Sequence, residues 1–203
     1  MFRPLHAAFF AISLLACAQG IAAEKADLPN GEGSPTKSAA DLIKRQEPLR
    51  LVVENYMKSK PENTRYVVNL TTQRLVMLVA GEVCIDSPIS SGKRGAPTPT
   101  GTFTVLEKVR NLESATYGSF MDKRERTVRS GVSMRLDVAP AGTHFIATPI
   151  PFYCRLTEAG IGIHGGLLPG YPAAHGSIRV PDDVARFLYQ KMSVGTKVEI
   201  RAE

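Results

Sequence analysis

Two neighbouring segments near the carboxyl end of the sequence combine the residue types that nucleophilic acyl transfer requires. His164 stands before two glycines, and Ser177 lies in the run of residues 175–180 that begins with His175. An imidazole can remove a proton from a serine hydroxyl during attack on a carbonyl, if the fold brings the two groups together. The turn-rich residues 169–172 lie between the two histidines and allow the chain to reverse, so that Ser177 approaches His164.

An extended conformation of residues 175–180 would sort their side chains by face. Because successive side chains of a strand point in opposite directions, Ile178 and Val180 would face the core, while Ser177 and Arg179 share the other face. A nucleophile and a guanidinium would then point into one cleft. Gly176 permits close approach of a substrate to the main chain, and the N–H groups of Gly176 and Ser177 are candidates to receive an oxyanion.

The same alternation applies to the strand predicted before the glycines. Gly162 and His164 would share one face, opposite the flanking isoleucines, so the imidazole leaves the core side where the strand ends. A histidine in such a place is more often a hydrogen-bonded structural residue than a catalyst. Taken alone, these residues favour a polar loop before a helix, with Ser177 as a turn residue and Arg179 in solvent.

Runs with a period of two predict a mainly β domain around these segments. The predicted strands, separated by short turns, cover residues 66–70, 74–79, 82–85, 102–106, 150–156, 161–164 and 197–201. A helix is expected after the second histidine segment, because Pro181 and two acidic residues precede an apolar stripe that ends near Gly195. Residues 111–133 are polar and contain glycines, which predicts a long loop or lid over one end of the sheet.

The amino-terminal residues carry an export pattern. Residues 1–23 begin with Arg3 as the early charge, continue with an apolar stretch too short to span a bilayer, and end in small residues, as a signal peptide does. Cys17 offers a second interpretation, because the residues before it resemble a lipobox and would make it a lipid anchor. Both interpretations place the domain outside the cytoplasm, in the periplasm or cell envelope.

A spacer is predicted between the export segment and the domain. The first part of residues 24–63 is rich in charged residues, Pro, Gly and Ser and has little apolar surface to bury. Residues 40–58 favour short helical segments, divided at Pro48. The domain itself is expected to occupy residues 64–203.

Charge and cysteine content narrow the range of partners. The formal net charge is +6 and falls to +5 when Arg3 leaves with the export segment. Lysines and arginines are scattered, which argues against a dedicated nucleic-acid surface and suits a partner with carboxylates or phosphates, such as a bacterial cell wall. Cys84 and Cys154 could form a disulfide in an oxidising compartment, if their Cα atoms lie within about 7 Å.

The segment of residues 163–181 resembles the signature of the L,D-transpeptidase catalytic domain, a family of bacterial periplasmic enzymes that cross-link peptidoglycan or attach proteins to it. Similarity extends over about residues 64–201 and includes the strand pattern from residue 65, residues 90–92, 99–103, 112–118 and 151–153. The resemblance implies a mainly β fold, a β-sandwich of the L,D-transpeptidase type with a few short helices. It also implies action on peptidoglycan stem peptides without a cofactor or metal.

Residue roles follow from matching the family's motif to this sequence. The resemblance implies that His164 is the base, oriented by the main-chain carbonyl of Gly165, and that His175 and Gly176 shape the nucleophile turn and oxyanion hole. The family's nucleophile is a cysteine, and Ser177 stands at its position. A thiol of pKa about 8.5 can be held as thiolate, whereas a hydroxyl must lose its proton during attack. Such an exchange typically raises the barrier by about 4 to 8 kcal/mol.

Three functions are therefore open. In the first, Ser177 attacks the carbonyl after the diamino acid of a stem peptide, terminal D-Ala leaves, and an amine accepts the acyl group. In the second, water is the acceptor and the protein is a carboxypeptidase-type hydrolase. In the third, a pseudoenzyme binds wall peptide through Arg179 without chemistry. Cys154 is a poor alternative nucleophile, since its predicted pairing near Ile163 turns it away from His164.

Overall fold

The structure is a computed structural model, and it describes residues 47–202. In this range the chain forms a six-stranded and a five-stranded β-sheet with two α-helices. The six-stranded sheet has the order β1-β4-β3-β2-β11-β5. Its strands are β1 (Arg50–Leu51), β2 (Thr64–Asn69), β3 (Arg74–Val79), β4 (Glu82–Pro88), β5 (Gly101–Thr104) and β11 (Lys197–Arg201).

The five-stranded sheet carries both histidine segments. Its order is β10-β9-β8-β6-β7. The strands are β6 (Glu107–Asp122), β7 (Thr127–Ser133), β8 (Thr143–Arg155), β9 (Gly162–Gly165) and β10 (Ile178–Val180). The helices are α1 (Val53–Lys58) and α2 (Asp182–Lys191), with a 3₁₀ turn at Pro61–Asn63. The predicted mainly β fold is confirmed.

One hydrophobic core joins the two sheets. Alternation along β3 buries Leu75, Met77 and Val79, as a strand with one face on the core requires. The helix α2 adds a stripe of buried side chains at a spacing of about one turn, and β9 and β10 add one isoleucine each, Ile163 and Ile178. The core therefore fixes the positions of the strands that bear the histidine segments.

The predicted strands and the predicted late helix are present. The strand ends shift by at most three residues, except that the strand predicted from residue 150 begins at Thr143. The helix spans Asp182–Lys191, with Pro181 just before it and acidic residues in its first turn. The segment before residue 64 differs from a plain spacer. Arg50–Leu51 is a strand that pairs with β4, and Val53–Lys58 is the helical part.

The prediction of a loop or lid at residues 111–133 is wrong. These residues form most of β6 and all of β7, and β6 is paired on one edge with β7 and on the other with β8. In β6 only Gly118 and Phe120 are buried, and in β7 only Val132 and Ser133, so the sequence lacks the apolar alternation of a half-buried strand. The main-chain hydrogen bonds of β6 are satisfied by neighbours that local sequence does not identify.

The described cysteines do not form a disulfide. Cys84 and Cys154 are both free and lie in the hydrophobic core. Burial raises the pKa of the Cys154 thiol to about 11 and also raises the pKa of Cys84. Cys154 pairs with Ile163 across β8 and β9, as predicted, and its side chain is 1% exposed.

The residues of the predicted signal peptide and Cys17 lie outside the described range, as does most of the predicted spacer. Between residues 47 and 202, no helix has the length and apolar character needed to cross a bilayer.

Candidate active site

Parallel pairing of β9 with β10 brings the two histidine segments side by side. Ile178 lies opposite Ile163, and Arg179 lies opposite His164. Both isoleucines are buried in the core. Because side chains alternate along a strand, His164 and Arg179 lie toward the other side of the two strands. The connection between the strands contains Gly170, whose φ of +91° suits the turn that reverses the chain.

His164 is held in one tautomer by the main chain. Its Nδ1 lies 2.7 Å from the carbonyl oxygen of Gly165, and the side chain is 8% exposed. Because a carbonyl only accepts, Nδ1 carries the proton and Nε2 keeps its lone pair in the neutral ring. Burial lowers the pKa of His164, and the charge of Arg179 lowers it further, while the bond to Gly165 and the charge of Asp182 raise it. The ring is therefore neutral at pH 7 and fit to accept a proton at Nε2.

The hydroxyl of Ser177 contacts the same strand at a different residue. Its Oγ accepts a hydrogen bond of 3.2 Å from the N–H of Gly162, two residues before His164. Within residues 47–202 the side chain of Ser177 makes no other hydrogen bond, and none joins it to His164. The donor is the amide, so the serine O–H proton is not used in this bond and is available to a base.

The turn before Ser177 depends on a glycine and on a buried threonine. Gly176 has a φ of +101°, a backbone conformation that residues other than glycine rarely adopt. Its carbonyl accepts a hydrogen bond of 2.8 Å from Oγ1 of Thr98, and the same Oγ1 accepts the N–H of Gly92 at 2.8 Å. In the described chain, the N–H groups of Gly176 and Ser177 donate to no protein acceptor. The role of these two amides as oxyanion donors stays a prediction.

The loop after β4 braces this turn through its main chain. Ser90 exchanges two main-chain hydrogen bonds with Arg179, of 2.9 and 3.0 Å. The buried hydroxyl of Ser90 donates to the carbonyl of Tyr171 and accepts the N–H of Ala173. The connection between β9 and β10 is thus attached at several points to a loop from the other sheet.

Sequence reasoning missed two residues that contact His175. The Nζ of Lys93, in the loop after β4, lies 2.9 Å from Nε2 of His175. The ring of Tyr117 stacks on the imidazole with centroids 4.0 Å apart and planes 11° apart. Burial and the charges of Lys93 and Arg179 lower the pKa of His175.

A bulge in β6 places Tyr117 against the histidine. The register between β6 and β8 shifts between Glu113 and Gly118, and the hydroxyl of Ser114 accepts the N–H of Tyr117 at 2.9 Å. Bulges redirect side chains in this way. The resemblance to the family had indicated residues 112–118 only as a matching segment, so no local signal in the sequence identified Tyr117 as a neighbour of His175.

Arg179 lies at the centre of the site without an acidic partner. Its side chain is partly buried, which lowers the pKa of the guanidinium, and none of the ion pairs found in residues 47–202 includes it. The aliphatic part of Arg179 lies against Gly166, where an added Cβ would be 3.5 Å from Cδ of Arg179. A guanidinium placed in this way can receive a carboxylate or an oxyanion from a ligand.

Comparisons with known proteins bear on the family and the fold of this chain. The family profile described as the YkuD L,D-transpeptidase catalytic domain matches residues 63–200, more than half of the chain. A comparison with curated proteins returns no match.

Solved structures of L,D-transpeptidases have a similar fold. An L,D-transpeptidase from Mycobacterium smegmatis is 24% identical, with 69% of this chain and 59% of that chain covered and a TM-score of 0.51. The LD transpeptidase LdtMt1 in complex with imipenem is 21% identical, with 68% and 59% covered and a TM-score of 0.50. L,D-transpeptidase 3 from Mycobacterium tuberculosis is 16% identical, with 68% and 61% covered and a TM-score of 0.50. This chain therefore spans about three-fifths of the length of these solved chains, and the likeness establishes the fold.

Proposed function

Because this chain belongs to the L,D-transpeptidase catalytic-domain family, we propose that it is an exported acyltransferase that acts on peptidoglycan stem peptides, with Ser177 as nucleophile and His164 as base. One observation carries the proposal. The bond from Nδ1 of His164 to the carbonyl of Gly165 leaves Nε2 as a proton acceptor in a buried, neutral ring. A lone pair at Nε2 is what a general base requires, and Ser177 directly precedes β10, the strand that pairs with the strand of His164.

The first half of the reaction forms an ester on the serine. Oγ of Ser177 attacks the carbonyl that links the diamino acid to terminal D-Ala, while its proton passes to Nε2 of His164. The tetrahedral oxyanion is held by the free N–H groups of Gly176 and Ser177. The carbon–nitrogen bond then breaks, and His164 returns the proton to the amine of the departing D-Ala.

The second half transfers the acyl group to an amine of another stem peptide. The amine attacks the ester, its proton passes to His164, and the carbon–oxygen bond to Ser177 breaks. His164 gives the proton back to Oγ, which restores the starting state. Arg179 supports both halves through its charge, because it has no acidic partner of its own and can hold a carboxylate of the substrate.

A second function, peptide binding without turnover, is favoured by one contact. Oγ of Ser177 is hydrogen-bonded to the N–H of Gly162 at 3.2 Å and not to His164 within the described residues. A hydroxyl that stays in this position would not pass its proton to Nε2. The unpaired guanidinium of Arg179 would still bind a carboxylate in such a protein.

Incubation of the purified domain with disaccharide-tetrapeptide, followed by mass spectrometry of the products, separates these functions. Cross-linked dimer with release of D-Ala supports transfer. Tripeptide alone supports a carboxypeptidase-type hydrolase with the same acyl-enzyme, and saturable binding without product supports the binding function. Ser177→Ala is the matched control, since it removes one oxygen from a half-buried side chain, and product that persists in this variant would rule out Ser177 as nucleophile.

Two further measurements address the nucleophile and the export. Imipenem, which is present in one of the similar solved structures, tests whether Ser177 can be acylated, because opening of the lactam leaves the whole molecule bound. We expect an adduct on Ser177 in the intact-mass spectrum, at a higher rate in Ser177→Cys. Mass spectrometry of the protein's amino terminus after expression with its leader tests cleavage after residue 23 against lipidation at Cys17.

A further inference from the structure

Lys93 contacts His175 at a single ring nitrogen. Its Nζ lies 2.9 Å from Nε2 of that ring, although the two residues are 82 positions apart in the sequence. The main chain of Lys93 is fixed beside the histidine as well, because its N–H donates to the carbonyl of Ala174 at 2.9 Å. Both the main-chain N–H and the Nζ of Lys93 therefore contact the segment that contains His175.

The chemistry of the two groups decides which of them donates. A lysine ammonium has three N–H donors and no acceptor, so Nε2 of His175 must accept. A ring nitrogen that accepts carries no proton, and the proton of the neutral ring then resides on Nδ1. A protonated His175 would place two positive charges and two donors against each other at this distance.

Tyr117 fixes the plane of the same ring. Its ring is nearly parallel to the imidazole, with centroids 4.0 Å apart. The charged and titratable groups that face His175 are Lys93 from the loop after β4, Arg179 from β10 and Tyr117 from β6. No carboxylate among the described residues acts on the ring, so nothing opposes the two cations.

We propose that Lys93 is a positioning residue that holds His175 as the neutral Nδ1–H tautomer. The ring then offers its one N–H donor from the nitrogen nearer the main chain of the turn that bears Ser177. The effect on acyl transfer rests on the proposed function, because it needs Ser177 to be the nucleophile. The effect of Lys93 on the tautomer of His175 does not depend on the proposed function, and it can be measured on the protein without substrate.

The experiment compares Lys93→Met, which removes the donor, with Lys93→Arg, which keeps a cationic donor. Arg94→Met is the matched control, because it removes one charge from the exposed neighbouring residue. Long-range ¹H–¹⁵N NMR spectra of histidine-labelled protein report which nitrogen of His175 bears the proton, and a pH series of the same spectra gives its titration midpoint. A His175→Asn sample assigns the signals.

In the wild type we expect the Nδ1–H pattern at pH 7 and a titration midpoint below the ordinary histidine value of 6.5. Lys93→Met should shift the pattern toward Nε2–H and raise the midpoint, whereas Lys93→Arg and Arg94→Met should keep both near the wild type. The rate of imipenem acylation should fall roughly fivefold in Lys93→Met, because only the fraction of molecules with the correct tautomer is competent.

Three results would overturn the proposal: an Nε2–H pattern in the wild type, a charged ring at pH 7, or a pattern unchanged in Lys93→Met. If the tautomer responds as expected while neither wild type nor variants are acylated, the positioning role stands and Ser177 fails as nucleophile. If acylation proceeds at equal rates while the tautomer changes, the role of His175 in the reaction is refuted. The folded state of each variant is checked by its thermal midpoint.

Discussion

The hydroxyl of Thr98 is expected to stabilise both the domain and the turn that carries Ser177. Thr98 is 6% exposed, and its Oγ1 bridges the N–H of Gly92 and the carbonyl of Gly176, each at 2.8 Å. Thr98→Val keeps the shape of the side chain and removes only this bridge. The N–H of Gly92 and the carbonyl of Gly176 then lose their partner, and Gly176 is a buried residue.

The magnitude follows from the cost of unsatisfied polar groups. Each buried donor or acceptor left without a partner costs about 1–3 kcal/mol, and the added methyl group offsets part of the loss. We expect Thr98→Val to lower the free energy of unfolding by roughly 2–4 kcal/mol in total. For a domain of this size, the thermal midpoint should fall by about 5–15 °C.

The assay is thermal and urea unfolding followed by circular dichroism, with the rate of imipenem acylation measured at a temperature where the variant is folded. Thr98→Ser, which keeps the hydroxyl, should recover most of the stability, and Thr100→Val on the exposed part of the same loop should change little. A midpoint of Thr98→Val within about 1 °C of the wild type would show that this hydroxyl bridge does not stabilise the domain. Equal acylation by folded Thr98→Val would show that the turn keeps its geometry without it.

Other expectations concern the neighbours of the site and the core. Gly165→Ala should lower the free energy of unfolding in urea by about 1–3 kcal/mol and slow acylation, because the new Cβ meets Oδ1 of Asp182. Gly95 has open space around it, so Gly95→Ala should change neither quantity. The pKa of His164 is lowered in the folded state, so the unfolded chain binds more protons than the folded chain just below pH 6.5. The free energy of unfolding should therefore decline as the pH falls through 6.5. A flat profile of this free energy between pH 5 and 7 would contradict the prediction. The two buried thiols should resist iodoacetamide in the native protein and react after unfolding, and labelling of the folded protein would contradict their burial.

Much of the fold was predictable because local sequence carries its signal. Alternating apolar residues in β3 mark one face toward the core, and that pattern depends only on the period of a strand. In β2 and β4 the signal is a short run of apolar residues, some of them consecutive and buried. The start of α2 is marked by Pro181 and two acidic residues. The exposed strands of residues 111–133 gave no such signal, since their stability comes from hydrogen bonds to neighbours distant in the sequence.

Local sequence was enough to predict which residues could carry chemistry. His164 and the residues from His175 to Arg179 are close in the chain, and their types and spacing limit the reactions open to them. The orientation and the pKa of these side chains depend on contacts that form only in the folded domain. Thr98 and Lys93 come from the loop between β4 and β5 of the six-stranded sheet, and Tyr117 comes from a bulge in β6. The protonation state of a side chain depends on which groups lie near it in space. Residues 58 to 82 positions apart contact each other here only through the packing of two sheets.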